Sequence, residues 1–98
     1  MAVNVRALQE RDPENLAIKR YQEIAQIVTQ NPAATIDDGV RWVQDLGETL
    51  EIAPLSRHGI KSEDFRTIIE KSAGSSSMKG NPITLTQDEL AEILQAAL

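Results

Sequence analysis

Three pairs of neighbouring acidic residues are the first candidates for chemistry: Asp37-Asp38, Glu63-Asp64 and Asp88-Glu89. Two carboxylates serve as general acid and base, or hold a metal ion, when they converge on one point. Each pair here falls in the first turn of a predicted helix, where negative charge is favoured by the helix dipole. Adjacent helical residues also point in different directions. The pairs are therefore interpreted as helix-terminal residues.

The segment Gly74–Pro82, with sequence GSSSMKGNP, nearly spells a phosphate-binding loop. In that loop a lysine precedes Ser or Thr and opens a helix that follows a strand. Here Lys79 precedes a glycine, and the preceding residues DFRTIIEKSA are helical in pattern. As structure, Gly74 is a helix C-cap and Asn81-Pro82 a turn. That interpretation leaves the serines and Met78 unexplained.

Other catalytic signatures are missing from the sequence. His58 is the only histidine and there is no cysteine, so neither a His-rich catalytic metal site nor a thiolate site is predicted. No Gly-rich dinucleotide fingerprint, nucleophile elbow or His-Glu-x-x-His motif occurs. No catalytic, cofactor-binding or metal-binding residue is predicted in this chain.

Length and composition predict one soluble domain over residues 1–98. Fifteen acidic against ten basic residues give a net charge of −5, which argues against nucleic-acid binding. No apolar run approaches the ~20 residues of a membrane helix, and no secretion signal opens the chain. We expect no membrane partner and a cytoplasmic location, which the absence of cysteine also suits.

Apolar residues recur at helical spacing throughout, and no segment alternates with the period of a strand. Helices are predicted over about 2–10 and 13–28, from Thr35 as N-cap to about 51, from Ser62, and from Thr86. The fold class is therefore all-α, a compact bundle of about five helices. The first helix has no capping residue before it, which we interpret as a sign of a longer parent chain.

Two further expectations concern side chains on these helices. Thr86 with Glu89 forms a capping box at the start of the last helix. Trp42 and Tyr21 both lie on apolar helical stripes, so we predict that they pack in the core and do not stack on a ligand.

Three blocks carry a family resemblance: NVRALQERDPENLAIKRYQEIAQIVT, GVRWVQDLGETLEIAPLSRHGIKSEDF and EKSAGSSSMKGNPITLTQDELAEILQAAL. The most specific parts are RYQEIAQ, the Leu55–Gly59 loop with IKSEDF, and Asn81-Pro82 followed by a short spacer, TQDEL and a final helix. Over essentially all 98 residues the chain resembles the C-terminal end of the iron-containing (group III) alcohol dehydrogenases.

The resemblance implies a two-domain parent enzyme, an NAD- or NADP-dependent alcohol/aldehyde oxidoreductase. Its N-terminal α/β part binds the nicotinamide cofactor, and its helical C-terminal part supplies one aspartate and three histidines to Fe²⁺ or Zn²⁺. Those ligands lie upstream of the segment matched here, so the chain is expected to be an inactive C-terminal fragment that lines the cleft. Alignment on Asn81-Pro82 implies that Ser77 and Met78 form part of the substrate-pocket wall.

Two other hypotheses remain open. The chain is an independent helical module for protein–protein interaction, or one piece of a split enzyme. The predicted partners are the rest of the dehydrogenase chain or further copies of this chain, bound through exposed helix faces. We expect such faces on residues 2–8 and on the stripe of the helix that begins at Pro13.

Overall fold

The computed structural model describes all 98 residues, and its regular structure is entirely helical. The five α-helices are α1 (Ala2–Arg11), α2 (Leu16–Thr29), α3 (Ile36–Thr49), α4 (Phe65–Ala73) and α5 (Gln87–Ala97). Three short 3-10 helices occupy Leu55–His58, Ser62–Asp64 and Ser76–Gly80. The prediction of an all-α chain with about five helices is confirmed. None of the helices is long and apolar enough to cross a membrane.

The chain divides into two compact units, Met1–Ile52 and Ala53–Leu98. In the first unit, α2 packs against both α1 and α3. Helix α2 approaches α3 closely where Ala25 meets Gly39: a Cβ added at Gly39 would lie 2.5 Å from Ala25 Cβ and 2.8 Å from Ala25 Cα. The absence of a side chain at Gly39 therefore sets the distance between the two helices.

Helix α1 supplies much of the buried apolar surface. Val3, Val5, Ala7 and Leu8 are all buried, and Leu8 is fully covered. The expectation that residues 2–8 present an exposed apolar face is therefore wrong. Helical spacing identified the apolar positions of α1 correctly, but spacing carries no information about what covers them.

Helix α2 begins later than the sequence suggested. Pro13 lies in a turn, and the N-cap is Asn15, whose side chain accepts a hydrogen bond of 2.9 Å from the Ala17 backbone N–H. At its other end the chain passes through Gln30, which adopts the left-handed conformation with φ of 53°. The N–H groups of Gln30 and Asn31 then satisfy the carbonyls of Ile27 and Gln26 at 3.2 and 3.1 Å. This is a Schellman ending in which a residue other than glycine occupies the strained position.

In the second unit, α4 packs against α5, with Ile69 and Leu90 buried. The predicted capping box at the start of α5 is confirmed: the Thr86 hydroxyl accepts from the Glu89 N–H at 3.2 Å, and the Glu89 carboxylate accepts from the Thr86 N–H at 2.7 Å. Ser62 was expected to cap α4. It is instead the first residue of the 3-10 turn that leads into α4.

Candidate functional site

The serine-rich segment forms a single 3-10 turn between α4 and α5. Helix α4 ends at Ala73 with Gly74 as its C-cap, as predicted, and the turn covers Ser76–Gly80. Ser77 is exposed, and its hydroxyl lies 3.1 Å from that of Ser75. Met78 is half-buried. A helix precedes this segment, so the strand that a phosphate-binding loop requires is not there.

Met78 contributes to a small cleft in the second unit. The cleft has a volume of about 170 Å³ and is lined by Ala73, Met78, Lys79, Thr84, Leu85 and Leu90. Four of these lining residues are apolar, and Lys79 and Thr84 are the two polar ones. Sites that enclose a whole organic ligand usually measure ~300–1,000 Å³. The cleft therefore has room for a small substrate fragment, and it is too small for a dinucleotide.

The structure separates the two residues that were predicted to form a pocket wall. Met78 lines the cleft, whereas Ser77 does not, and its hydroxyl pairs with Ser75 on the surface. Thr84, Leu85 and Leu90 also line the cleft, and the sequence did not predict a lining role for them. Leu85 and Leu90 flank the capping box of α5, so their positions follow from the helix start that Thr86 and Glu89 fix.

The acidic pairs lie at helix starts and do not converge. Asp38 accepts hydrogen bonds from the Thr35 N–H and hydroxyl at 2.8 and 2.9 Å, and Asp64 accepts from the Lys61 N–H at 2.9 Å. The bond from the Thr35 backbone lowers the pKa of Asp38 most, followed by the bond from its hydroxyl and then by the charge of Arg41. These carboxylates stabilise helix ends, as the sequence predicted.

The donor set of this chain does not fit a metal ion. No three residues among its histidine, aspartate and glutamate side chains lie close enough together to hold one. His58 is exposed at the end of the 3-10 helix Leu55–His58, and the residue before it in that helix is the basic Arg57. The chain also lacks a Gly-rich turn that opens a helix after a strand, which a dinucleotide site of the usual kind needs.

One apolar surface of the first unit is only partly covered. Trp42, Val43, Leu46 and Leu50 lie on one side of α3 and its C-terminus, and we call this surface the α3 face. The exposed fractions run from 38% at Trp42 to 62% at Leu50. The prediction that Trp42 packs in a core is therefore wrong. Tyr21 is half-buried, and its hydroxyl accepts a hydrogen bond of 3.2 Å from the Asn4 side chain.

Comparison with protein families gives a match over nearly the whole chain. The model of the Fe-containing alcohol dehydrogenase family, C-terminal, matches residues 3–98. No curated protein and no solved structure gives a significant match. The family match covers nearly the whole chain, and it agrees with the all-helical structure and with the resemblance of the sequence blocks. This chain belongs to the Fe-containing alcohol dehydrogenase family, and it corresponds to the C-terminal region of that family.

Proposed function

We propose that this chain is the C-terminal helical part of an NAD(P)-dependent, metal-dependent alcohol dehydrogenase that interconverts alcohols and aldehydes. The observation that carries the proposal is the family match over residues 3–98. The parent reaction transfers a hydride between substrate and nicotinamide, with the substrate oxygen polarised by a divalent iron or zinc ion. Both groups are held by another part of the dehydrogenase, because the side chains of this chain do not fit either of them.

The role left to this chain is packing and lining of the active-site cleft. Met78 supports this role, because its side chain already forms the wall of a mainly apolar cleft with Leu85 and Leu90. An apolar wall selects substrates by shape, and one methylene in such a wall changes selectivity by ~1–3 kcal/mol. Ser77 is the second proposed wall residue; it is exposed on the same turn, outside the lining of this cleft, and its hydroxyl lies 3.1 Å from that of Ser75.

A chimera tests the proposal. Residues 1–98 replace the corresponding C-terminal segment of an iron-containing alcohol dehydrogenase of known activity, and NAD(P)H formation is measured over a series of alcohols. We expect the chimera to turn over. We expect Met78→Ala to change KM for the longer alcohols more than for the shortest. Ser76→Ala, an exposed substitution in the same turn, is the matched control and leaves the series unchanged.

The isolated chain provides the opposing measurement. Purified residues 1–98 are expected to show no alcohol oxidation and no stoichiometric iron or zinc by elemental analysis. Turnover by this chain alone, or one tightly bound metal ion per chain, contradicts the proposal that another part of the dehydrogenase holds the metal and the nicotinamide.

The second candidate function is an independent protein–protein interaction module, which the exposed α3 face favours. The two functions predict different DNA sequences upstream of the Met1 codon. A reading frame that continues upstream into His-rich dehydrogenase sequence supports the dehydrogenase, and a reading frame that begins at Met1 supports the module or a split enzyme. In the split case, adding the separate catalytic chain to residues 1–98 restores activity.

A further inference from the structure

The α3 face is a continuous apolar ridge on a well-formed helix. Trp42, Leu46 and Leu50 succeed each other at four-residue steps, and Val43 widens the ridge on one side. Residues at this spacing lie one above the other along a helix and form the stripe that a second helix packs against. Helix α2 approaches α3 one turn earlier, at Gly39, and covers these side chains only in part, least of all Leu50.

The charged residues of α3 itself are mostly negative. Helix α3 contains four acidic residues and a single basic one, Arg41. Asp38 and Asp45 lie four residues before and three residues after Trp42, so they border the ridge on the same side. Arg41 lies close enough to Asp38 to lower its pKa. Arg41 also lies one helical turn before Asp45, so a single cation faces both of these carboxylates.

The C-terminal end of α3 adds to this negative charge. Its last turn contains no basic residue and contains Glu48, and Glu51 lies just beyond the helix in the left-handed conformation. The carbonyl groups at a helix C-terminus favour cations, so two glutamates at this end are unfavourable in the isolated chain. A partner that brings lysine or arginine beside Leu50 would remove this repulsion.

We infer that the α3 face binds an amphipathic helix in the catalytic part of the dehydrogenase, with an apolar stripe flanked by lysine or arginine. The inference rests on the proposed function in one respect: that function identifies the catalytic part of the dehydrogenase as the polypeptide that carries the helix. The apolar stripe and the basic flanks of the helix are argued from the α3 face. A second copy of this chain is a poorer occupant. Two α3 faces would bring two predominantly acidic helices together, in a chain of net charge −5.

Two synthetic peptides test the inference on the complete 98-residue chain. They share one length and one leucine stripe and contain no Trp or Tyr, and the flanking positions are lysine in one and glutamate in the other. Trp42 is the only tryptophan, so a shift of its emission to shorter wavelength reports occupation of the α3 face itself. We expect the lysine peptide to bind at least ~10-fold more tightly than the glutamate peptide, and the difference to shrink with added salt.

Matched variants identify the surface. Leu46→Asn with Leu50→Asn removes the ridge without changing charge, and is expected to abolish the shift of Trp42 emission. Leu16→Asn with Ile27→Asn makes the same change on α2, where these side chains are 76% and 73% exposed, and is expected to leave binding unchanged. Circular dichroism establishes that each variant is folded before binding is measured.

A third variant tests the acidic residues beside the ridge. Asp45→Asn with Glu51→Gln is expected to weaken binding of the lysine peptide several-fold and to flatten its salt dependence. Equal binding of the two peptides overturns the inference, as does loss of binding in the α2 variant. Concentration-dependent dimerisation by light scattering, with a matching shift of Trp42 emission, would assign the face to a second copy instead. Failure of the proposed function would show separately, as an inactive chimera whose peptide binding is normal.

Discussion

The contact between Gly39 and Ala25 provides the sharpest test of how α2 and α3 pack. In Gly39→Ala the new Cβ would lie 2.5 Å from Ala25 Cβ and 2.8 Å from its Cα. Carbon atoms in contact are normally ~3.5–4.0 Å apart, so the overlap is about 1 Å. Neither opposing atom can rotate away, because the Cα of Ala25 is backbone and its Cβ is bonded directly to it. The helices must separate, and overpacking of this kind costs about 1–3 kcal/mol.

An opposite effect acts at the same position, and Gly47 measures it. Alanine is favoured over glycine within a helix by about 0.5–1 kcal/mol. At Gly39 we expect the clash to win, because the overlap involves two atoms of Ala25, with a net loss of up to roughly 2.5 kcal/mol of the free energy of unfolding. At Gly47, in the same helix, an added Cβ has no atom within 4 Å, so Gly47→Ala should gain about 0.5–1 kcal/mol. The two substitutions are chemically identical and are expected to have opposite signs.

Urea unfolding followed by Trp42 fluorescence measures both effects, because Trp42 lies on α3 in the first unit. The midpoint should fall in Gly39→Ala and rise in Gly47→Ala with the slope unchanged. Ala25→Gly also places a glycine within α2, so the double variant with Gly39→Ala should lose less stability than the sum of the two single losses, since it removes the atom 2.5 Å away and leaves the one at 2.8 Å. A midpoint for Gly39→Ala at or above that of the unsubstituted chain would refute the close approach.

Three other substitutions test local features. Gln30→Gly relieves the left-handed conformation at the end of α2 and should raise stability by about 0.5–1 kcal/mol, measured by thermal unfolding; a decrease would contradict the φ of 53°. Thr86→Ala removes the cap of α5 and should cost about 0.5–2 kcal/mol, whereas Thr86→Ser should retain most of it; equal losses would show that the hydroxyl does not cap. Asp38 has a lowered pKa in the folded chain, so its stabilisation is complete above the ordinary aspartate value of 3.8 and disappears as pH falls through the lower folded value. Asp38→Asn should therefore flatten the acid side of a stability–pH curve, and an unchanged curve would assign the acid sensitivity to other carboxylates.

The helices and most of their ends could be predicted from the sequence because they depend on neighbours a few residues apart. Thr35 and Thr86 cap their helices through side chains that reach the third residue on, and the structure shows both bonds. The start of α2 was misplaced because Pro13 suits a first turn, while Asn15 supplies the actual cap. Both residues are plausible helix starts, and local rules do not rank them.

The candidate site was predictable only in part. Met78 was selected through the family resemblance, and the structure places it in a cleft with Thr84, Leu85 and Leu90. Those partners come from a different part of the chain, and their approach depends on how α4 and α5 pack. Gly39 was also missed, although a glycine within an apolar helical stripe is a signal of close backbone approach.

The sequence by itself determined the helical class, the helix caps, the absence of histidine and cysteine clusters, and the likeness to iron-containing alcohol dehydrogenases. Only the tertiary structure decided which apolar stripes are covered. The stripes of α1 and α3 look alike in sequence, yet Leu8 is fully buried and Leu50 is 62% exposed. The physical reason is that helical periodicity is set by backbone hydrogen bonds within one segment, whereas burial depends on which other surfaces reach that segment.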